Sequence, residues 1–429
     1  MSRISRRSFL VSTGLTVTAG AGERIQVAVV GVRSRGRDLI EEFARNGSRV
    51  AAVCDIDTAQ IERAVQFTER LQGQKPKTYQ DIRRLLEDKE IDVVAIATCN
   101  HWHALATIWA CQAGKDVYVE KPASHNVWEG RRMVEAARKY RRIAQVGMQN
   151  RSLAHVRRAI ELLHQGVIGK VYLAKGLCYK RRKSIGRQPD GPAPPGVDYN
   201  LWLGPAPMRP FNPNRFHYNW HWFWDTGNGD IGNQGPHQLD LARWGLNKNT
   251  LPTKVYSAGG KFVYDDDQET PNTQLSVFDY GDCRLVFEVR GLITSGESSI
   301  SPIDGNYIGN LFFGSEGVMA LDGRGFRVYL GEDRELADQA AFDETRVADT
   351  APHVTNFLQA VRSRNPAQLT AGVLEGHLSA ALCHLANISY RTGRSLVFDP
   401  VSETFPHDAE ANSHLSRNYR APFVVPAEV

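Results

Sequence analysis

Short apolar runs and longer amphipathic segments alternate along residues 25–150 of the chain. The apolar runs, rich in β-branched residues, predict buried strands at residues 25–30, 49–54, 91–98, 116–119 and 143–147. Helical periodicity is found between them, at residues 37–46, 104–113 and 127–140. Strands that alternate with helices form a parallel sheet covered on both faces, so we expect a doubly wound Rossmann-type α/β domain.

The pattern changes after residue 149. A helix is predicted at residues 156–166 and a strand at 171–179, before a loop rich in proline and glycine. Strands are then predicted at residues 254–263, 274–280, 283–289 and 310–321, typical of an antiparallel sheet with one exposed face. A single core rarely grows beyond ~250–300 residues, so the 429 residues predict two domains, 22–149 and 150–429.

A glycine-containing turn follows the first predicted strand and opens the first predicted helix. Gly31 permits a tight turn, Gly36 permits close helix packing, and the helix N-terminus offers free N–H groups to a pyrophosphate. Asp55 lies nineteen residues after Gly36, where a carboxylate binds the adenosine ribose and favours NAD. Arg33 takes the middle glycine position and Arg35 lies close by, so NADP is the alternative cofactor.

Polar side chains follow several of the predicted parallel strands. Ligands of such sheets gather at the carboxyl ends of the strands. We therefore expect five further residues to face the cofactor: Asn100, His103, Glu120, Lys121 and Gln149. Lys121, in the turn Glu120-Lys121-Pro122, is expected to face the nicotinamide.

Residues 98–103 and 113–122, which end in that turn, resemble the Gfo/Idh/MocA family of sugar and inositol dehydrogenases. The resemblance extends from Ile25 to about Val397. It implies a Rossmann domain followed by an α/β domain with a large, mostly antiparallel open sheet. It also implies a nicotinamide cofactor and a carbohydrate substrate.

The resemblance further implies a catalytic histidine at His237. The family's carboxylate four residues earlier is here Asn233, and Asp230 is the candidate replacement from a neighbouring turn. Hydride transfer from a carbinol carbon needs a base for the hydroxyl proton and a cation for the oxygen. We assign the first role to His237 and the second to Lys121, although either residue is able to exchange the proton.

Further substrate contacts are expected in the second domain. Tyr179 ends a predicted strand, and Trp222 lies in a stretch dense in aromatic residues that suits stacking on sugar C–H faces. Asn233 and Gln234 precede His237 and are expected to bind sugar hydroxyls. For each aromatic residue, simple packing within the fold is the alternative.

The N-terminal residues 1–21 precede the first strand and are excluded from the fold. Residues 5–10 resemble a twin-arginine export signal, and residues 19–21 a cleavage site. The alternative is a basic N-terminus on a cytoplasmic protein. An exported protein has no pool of NAD to exchange, so we expect a periplasmic enzyme whose NAD is tightly bound and restored in each cycle.

Two net reactions satisfy this constraint. One is oxidoreduction between sugars. The other is glycoside hydrolysis by oxidation, elimination, hydration and reduction, as in the exported NAD-dependent glycosidases that the chain also resembles; their tyrosine is here Gln234. A non-catalytic sugar-binding protein is the third alternative.

Composition narrows the classes of partner. The net charge of +5 is small, and the basic run at residues 180–183 is too short to indicate nucleic-acid binding. No apolar run reaches ~18 residues, so no membrane insertion is expected. The six cysteines lack metal-type spacing, and we expect no metal site. The exposed face of an open sheet is expected to pack against another protein surface, which predicts a homo-oligomer formed through this sheet.

Overall fold

The computed structural model describes residues 24–297, 300, 302, 305–341 and 350–429. The signal-like residues 1–21 lie outside this part of the chain. The described residues form two β-sheets, each packed against helices.

The first sheet is the parallel sheet of a Rossmann domain. Its strands are β1 (Gln26–Val30), β2 (Arg49–Cys54), β3 (Lys77–Tyr79), β4 (Val93–Ile96), β5 (Asp116–Val119) and β6 (Ala144–Val146). Its helices are α1 (Ser34–Arg45), α2 (Thr58–Gln72), α3 (Ile82–Leu86), α4 (Asn100–Gln112) and α5 (Val127–Lys139). All strand pairs are parallel, in the order β3-β2-β1-β4-β5-β6. This confirms the predicted doubly wound fold.

The burial of these strands and helices explains why their apolar pattern predicts them. Every residue of β4 and β5 is buried, because helices cover both faces of a parallel sheet. Helix α1 buries Gly36, Leu39, Ile40 and Phe43, which share one helical face.

The second sheet has nine strands. They are β7 (Val171–Tyr179), β8 (Lys254–Gly260), β9 (Thr273–Asp279), β10 (Arg284–Arg290), β11 (Tyr307–Gly314), β12 (Gly317–Asp322), β13 (Gly325–Leu330), β14 (Glu335–Ala341) and β15 (Leu396–Val397). Their order is β14-β13-β12-β11-β7-β10-β9-β8-β15. Only the pair β7 and β10 is parallel among these described strands, so the sheet is mostly antiparallel, as expected.

Seven further helices follow β6 along the chain. They are α6 (Ala154–His164), α7 (Tyr199–Leu203), α8 (Gly229–Asn233), α9 (Gly235–Gly245), α10 (Ala351–Ser363), α11 (Val373–Thr392) and α12 (Ala409–Ser413). Residues of α9 and α11 pack with Phe278, Phe287 and Phe312 on one face of the sheet. On the opposite face, Tyr256 is 47% exposed and Leu275 is 43% exposed.

The structure departs from the predicted elements at several places, and it adds, among other elements, α2, β3 and α3 to the first domain and β13, β14 and β15 to the second. The strand predicted at residues 310–321 is two strands, because the chain turns between β11 and β12. Helix α4 begins at Asn100 rather than at residue 104. Helix α10 packs against Phe43 and Tyr118 of the first domain through Phe357, so residues after 150 also build the Rossmann core.

No described helix is long and apolar enough to cross a membrane. The described residues likewise contain no cluster of side chains suited to hold a metal ion.

Candidate active site

A cavity of about 410 Å³ lies at the carboxyl ends of the parallel strands, between the Rossmann domain and residues 216–233 of the second domain. It brings together ten of the residues predicted from the sequence: Gly31, Arg33, Arg35, Asp55, Asn100, His103, Glu120, Lys121, Gln149 and Asn233.

The glycine turn sits at one end of this cavity. Gly31 has a φ of +78°, and a Cβ there would lie 2.7 Å from the carbonyl oxygen of Ala97. A Cβ on Gly36 would lie only 1.8 Å from the carbonyl oxygen of Gly31. Gly36 does not line the cavity; its role is to let α1 start close to the turn, so that free N–H groups face the cavity.

Asp55 is held in place by two backbone donors. The N–H of Val32 donates to Oδ2 at 2.9 Å, and the N–H of Asp57 donates to Oδ1 at 3.1 Å. Burial raises the pKa of this carboxyl to about 6. Each oxygen keeps a lone pair that is able to accept a ribose hydroxyl.

The two arginines of the turn have different surroundings. Nε of Arg35 donates to Oε1 of Glu120 at 2.7 Å, and its Nη atoms contact Thr350 at the start of α10. This pairing ties Arg35 to Glu120, against the expectation that it offers a cation to a 2′-phosphate. Arg33 remains exposed at the cavity.

Lys121 joins the two domains at the cavity. Its Nζ donates to the carbonyl oxygen of Asn233 at 2.8 Å and to Oδ1 of the same residue at 3.2 Å. Burial lowers the pKa of Lys121, and the nearby Glu120 carboxylate opposes this shift.

Asp230 does not take the place of the missing carboxylate by direct contact with Lys121. Both of its oxygens accept hydrogen bonds from Arg182, at 2.8 and 2.7 Å. Nδ2 of Asn233 donates weakly to Oδ1 of Asp230 at 3.4 Å, so Asp230 acts on Lys121 through Asn233 and through its charge.

His237 lies in the first turn of α9; it is buried and, against the sequence-based expectation, does not line the cavity. Its Nδ1 has no hydrogen-bond partner in the described part of the chain. Burial lowers its pKa to about 3, assisted by the charge of Lys121. The imidazole is therefore neutral at pH 7. The neighbouring Gln234 donates to Gln238 and does not line the cavity.

Two predicted substrate contacts lie away from the cavity. The Tyr179 hydroxyl is 2.7 Å from Oε2 of Glu288 and 2.8 Å from Oε1 of Glu297, on the face of the sheet opposite α9 and α11, where the Tyr179 ring is buried. The cause is strand alternation, which turns Tyr179 away from the helix-covered face where Cys178 packs. Trp222 is buried beneath the Arg182 guanidinium, 5.0 Å from the ring centroid, so the packing alternative holds for it.

Other aromatic residues take the place predicted for Trp222. Trp202, Phe216, Tyr218 and Trp220 line the cavity together with His217 and His221. Most of these residues belong to the same aromatic stretch, whose stacking on a sugar stays a prediction. Which rings face the cavity depends on a short 3-10 helix, Asn219–Trp222, that the sequence pattern does not reveal.

The remaining predicted residues line the same cavity. The ring nitrogens of His103 lie 2.7 Å from the Pro122 carbonyl oxygen and 3.0 Å from that of Thr98. Asn100 donates to Oδ1 of Asn228 at 2.9 Å. Oε1 of Gln149 is buried without a partner in the described residues, so it is available to a ligand.

Comparison with known proteins agrees with this geometry. Residues 25–148 match the GFO_IDH_MocA oxidoreductase family with an NAD-binding Rossmann fold, and residues 162–288 and 316–425 match the C-terminal alpha/beta domain of the same family. The chain belongs to the Gfo/Idh/MocA family. Its first domain is therefore an NAD-binding Rossmann domain.

Among Gfo/Idh/MocA relatives, the chain is similar to two kinds of curated protein. A glycosyl hydrolase family 109 protein from Shewanella sp. (strain ANA-3) is 30% identical over 155 residues, covering 35% of this chain and 34% of the relative. An inositol 2-dehydrogenase from Salmonella typhimurium is 28% identical over 158 residues, covering 36% and 46%. The matched region spans less than half the length of either relative.

Solved structures show the same fold over most of the chain. A WlbA dehydrogenase from Bordetella pertussis, in complex with NADH and UDP-GlcNAcA, has a TM-score of 0.64 and 18% identity, covering 88% of this chain and 99% of that one. A UDP-N-acetylglucosamine 3-dehydrogenase from Acidithiobacillus ferrooxidans has a TM-score of 0.59 and 17% identity, covering 86% and 98%.

Proposed function

We propose that this protein oxidises and reduces a carbinol carbon of a sugar or sugar derivative, with a tightly bound NAD. The observation that carries the proposal is the position of Lys121. Its ammonium lies between the turn that follows β5 and helix α8, in the same cavity as Asp55, Glu120 and Gln149.

The residues of the cavity fit NAD. The N-terminus of α1 would take the pyrophosphate, Asp55 the adenosine ribose, and the unpartnered Oε1 of Gln149 a donor at the nicotinamide end. The acid at Asp55 favours NAD over NADP, and with Arg35 bound to Glu120 only one arginine of the turn, the exposed Arg33, is left to attract a 2′-phosphate. When bound, NAD supplies a hydride acceptor or donor for the substrate carbon.

Lys121 would hold the substrate oxygen and exchange its proton. A partly buried ammonium with a lowered pKa is suited to both tasks. His237, which the sequence favoured as the base, has a pKa of about 3 and is a weak base at pH 7. His237 is also buried outside the lining of the cavity, so we propose no proton transfer by it. Asn233 keeps Lys121 in place without adding a charge.

A carbohydrate substrate is supported by the aromatic wall of the cavity. Tyr218 and Trp220 line the same cavity as Lys121, and aromatic faces stack on sugar C–H groups. The likeness to inositol 2-dehydrogenases and to UDP-sugar dehydrogenases points to the same class.

Glycoside hydrolysis is the second candidate, supported by the likeness to glycosyl hydrolase family 109 proteins. In this reaction the oxidised sugar loses its aglycone by elimination, water adds, and the ketone is reduced again. Oxidation of the carbinol is the common first step, so the same Lys121 chemistry serves both reactions.

Purified protein incubated without added NAD tests the proposal. Sugars that change the absorbance of a bound nicotinamide support the oxidoreductase, and release of aglycone from aryl glycosides supports the hydrolase. If no sugar or glycoside changes that absorbance, the proposal is wrong and the non-catalytic alternative takes its place.

Tight binding and export are tested separately. We propose that NAD copurifies in near-equal amount with the protein and survives dialysis. We also propose that residues 1–21 direct the protein to the periplasm by the twin-arginine route. Cell fractionation of a variant with both Arg6 and Arg7 changed to Lys checks the second proposal, because such a variant should stay in the cytoplasm.

A further inference from the structure

A second cavity, of about 300 Å³, lies outside the NAD site. It is formed by the start of α5, the loop before α8, the last turns of α11 and the segment after α12. It shares no lining residue with the first cavity. A single hydrogen bond, from Nδ2 of Asn100 to Oδ1 of Asn228, joins the two linings.

Two arginines border this cavity without a carboxylate partner. Arg391 is exposed at the mouth, with its guanidinium 5.2 Å from the centre of the Trp224 ring. Arg417 is half-buried; its Nη1 donates to the carbonyl oxygen of Asp225 at 2.9 Å and lies 3.2 Å from Nδ1 of His125. Neither forms a salt bridge with any residue that the structure describes.

The carboxylates near these arginines are engaged elsewhere. Asp225 and Glu269 both bind Arg209, at 2.8 and 3.3 Å. Glu129 is fully buried and accepts hydrogen bonds from the His125 N–H, from Asn126 and from the Tyr419 hydroxyl. Burial raises the pKa of Glu129. These contacts leave the donors of Arg391, and the donors of Arg417 other than Nη1, available to a ligand.

A buried histidine supplies an independent sign of a missing partner. His384 borders the cavity and is 4% exposed, yet its Nδ1 has no hydrogen-bond partner in the described residues. An unsatisfied buried polar atom is costly, and a bound ligand would satisfy it.

We propose that this second cavity binds a small organic oxyanion, a molecule that carries one phosphate or carboxylate group. Arg391 and Arg417 hold the anionic oxygens, and His384 adds a hydrogen bond. The cavity is larger than an inorganic phosphate needs, and Trp224 offers an apolar wall for the rest of the molecule. The guanidinium fork suits phosphate and carboxylate oxygens alike.

Isothermal titration tests the site on protein saturated with NAD, which keeps anions away from the pyrophosphate position of the first cavity. The probes are glucose 6-phosphate, glucuronate, inorganic phosphate and uncharged glucose. We expect at least one oxyanion probe to bind, and its affinity to fall about tenfold or more in Arg391→Gln, because a charge-assisted hydrogen bond is lost.

Three further variants test the role of the two arginines. Arg391→Lys keeps the charge and should retain most of the binding, and Arg417→Gln should repeat the loss. Arg158→Gln, a change at an exposed arginine of α6, should bind like the parent. Equal affinity of the parent and Arg391→Gln, or no binding by any oxyanion probe, overturns the proposal.

Discussion

At the scale of single residues, the pairing of Lys121 determines what the site is able to do. Its hydrogen bonds go to the two oxygens of Asn233, neither of which carries a charge. A carboxylate at that position would raise the pKa of Lys121 and hold its proton more firmly. With an amide there, the ammonium is better able to give its proton to a substrate and take it back.

Lys121→Ala should therefore keep NAD and lose turnover. Removing one preorganised electrostatic partner costs roughly 10²–10³-fold in rate in comparable enzymes. Single-turnover rates and the amount of copurified NAD measure the two effects separately. Lys175→Ala is the matched control, since Lys175 binds Glu297 on the open face of the sheet. Wild-type turnover in Lys121→Ala would remove Lys121 from the mechanism.

The positions of Gly31, Asp55 and Lys121 at the ends of strands could be predicted, because the carboxyl end of a buried strand is visible in the apolar pattern. Their contacts with NAD and substrate stay predictions. The positions of Tyr179 and Trp222 away from the cavity could not be predicted, because tertiary packing decides which face of a strand or loop a ring takes. The pairing of Arg35 with Glu120 joins residues distant in the chain, and no local pattern predicts such a contact.

At the scale of secondary structure, the close approach of α1 to the glycine turn that follows β1 shapes one end of the cavity. This close approach depends on the missing side chain of Gly36. The strand β1 and the helix α1 were predictable from the sequence, since β1 is buried and α1 has one apolar face. The packing partner of α10 was not predictable, because its apolar face lies on the first domain, which is distant in the chain.

Gly36→Ala should loosen this close approach and weaken NAD binding. The added Cβ would meet the Gly31 carbonyl oxygen at 1.8 Å, so the turn or the helix must shift. Overpacking of this kind typically costs about 1–3 kcal/mol. The melting temperature and the dissociation constant for NAD measure the effect.

The control for this substitution is Gly191→Ala. An added Cβ at Gly191 has no heavy atom within 4 Å among the described residues. Gly191→Ala should leave the melting temperature and the dissociation constant for NAD unchanged. NAD binding of parental strength in Gly36→Ala would show that the close approach is not needed.

At the scale of the whole molecule, no helix of the described residues covers one face of the nine-stranded sheet. Tyr256 and Leu275 are half-exposed on that face, where apolar side chains favour contact with another chain. We propose a homo-oligomer formed through this face. Light scattering should give a multiple of the monomer mass, and the double variant Tyr256→Asp, Leu275→Asp should shift it towards the monomer. Val401→Asp, at another exposed apolar residue, serves as control. A monomeric parent would contradict the proposal.

The buried histidines predict how stability depends on pH. Burial lowers the pKa of His101, His237 and His384 to about 3, and that of His353 to about 4, from an ordinary value of 6.5. Between about pH 6.5 and pH 4 the unfolded chain therefore binds more protons than the folded protein at these positions, so stability falls as the pH falls. Each histidine contributes up to about 1.4 kcal/mol per pH unit.

Two buried acids act in the opposite direction. The raised pKa values of Asp55, about 6, and of Glu129 mean that their folded forms take up protons first, which adds stability as the pH falls. Because four histidines oppose two acids, the net effect is that stability falls as the pH falls. Urea unfolding at about pH 7.5 and about pH 5 should show a lower midpoint at the lower pH. His384→Gln should reduce this pH dependence, whereas a change at the exposed His407 should not. Equal midpoints at both pH values would mean that the buried imidazoles reach solvent protons without unfolding.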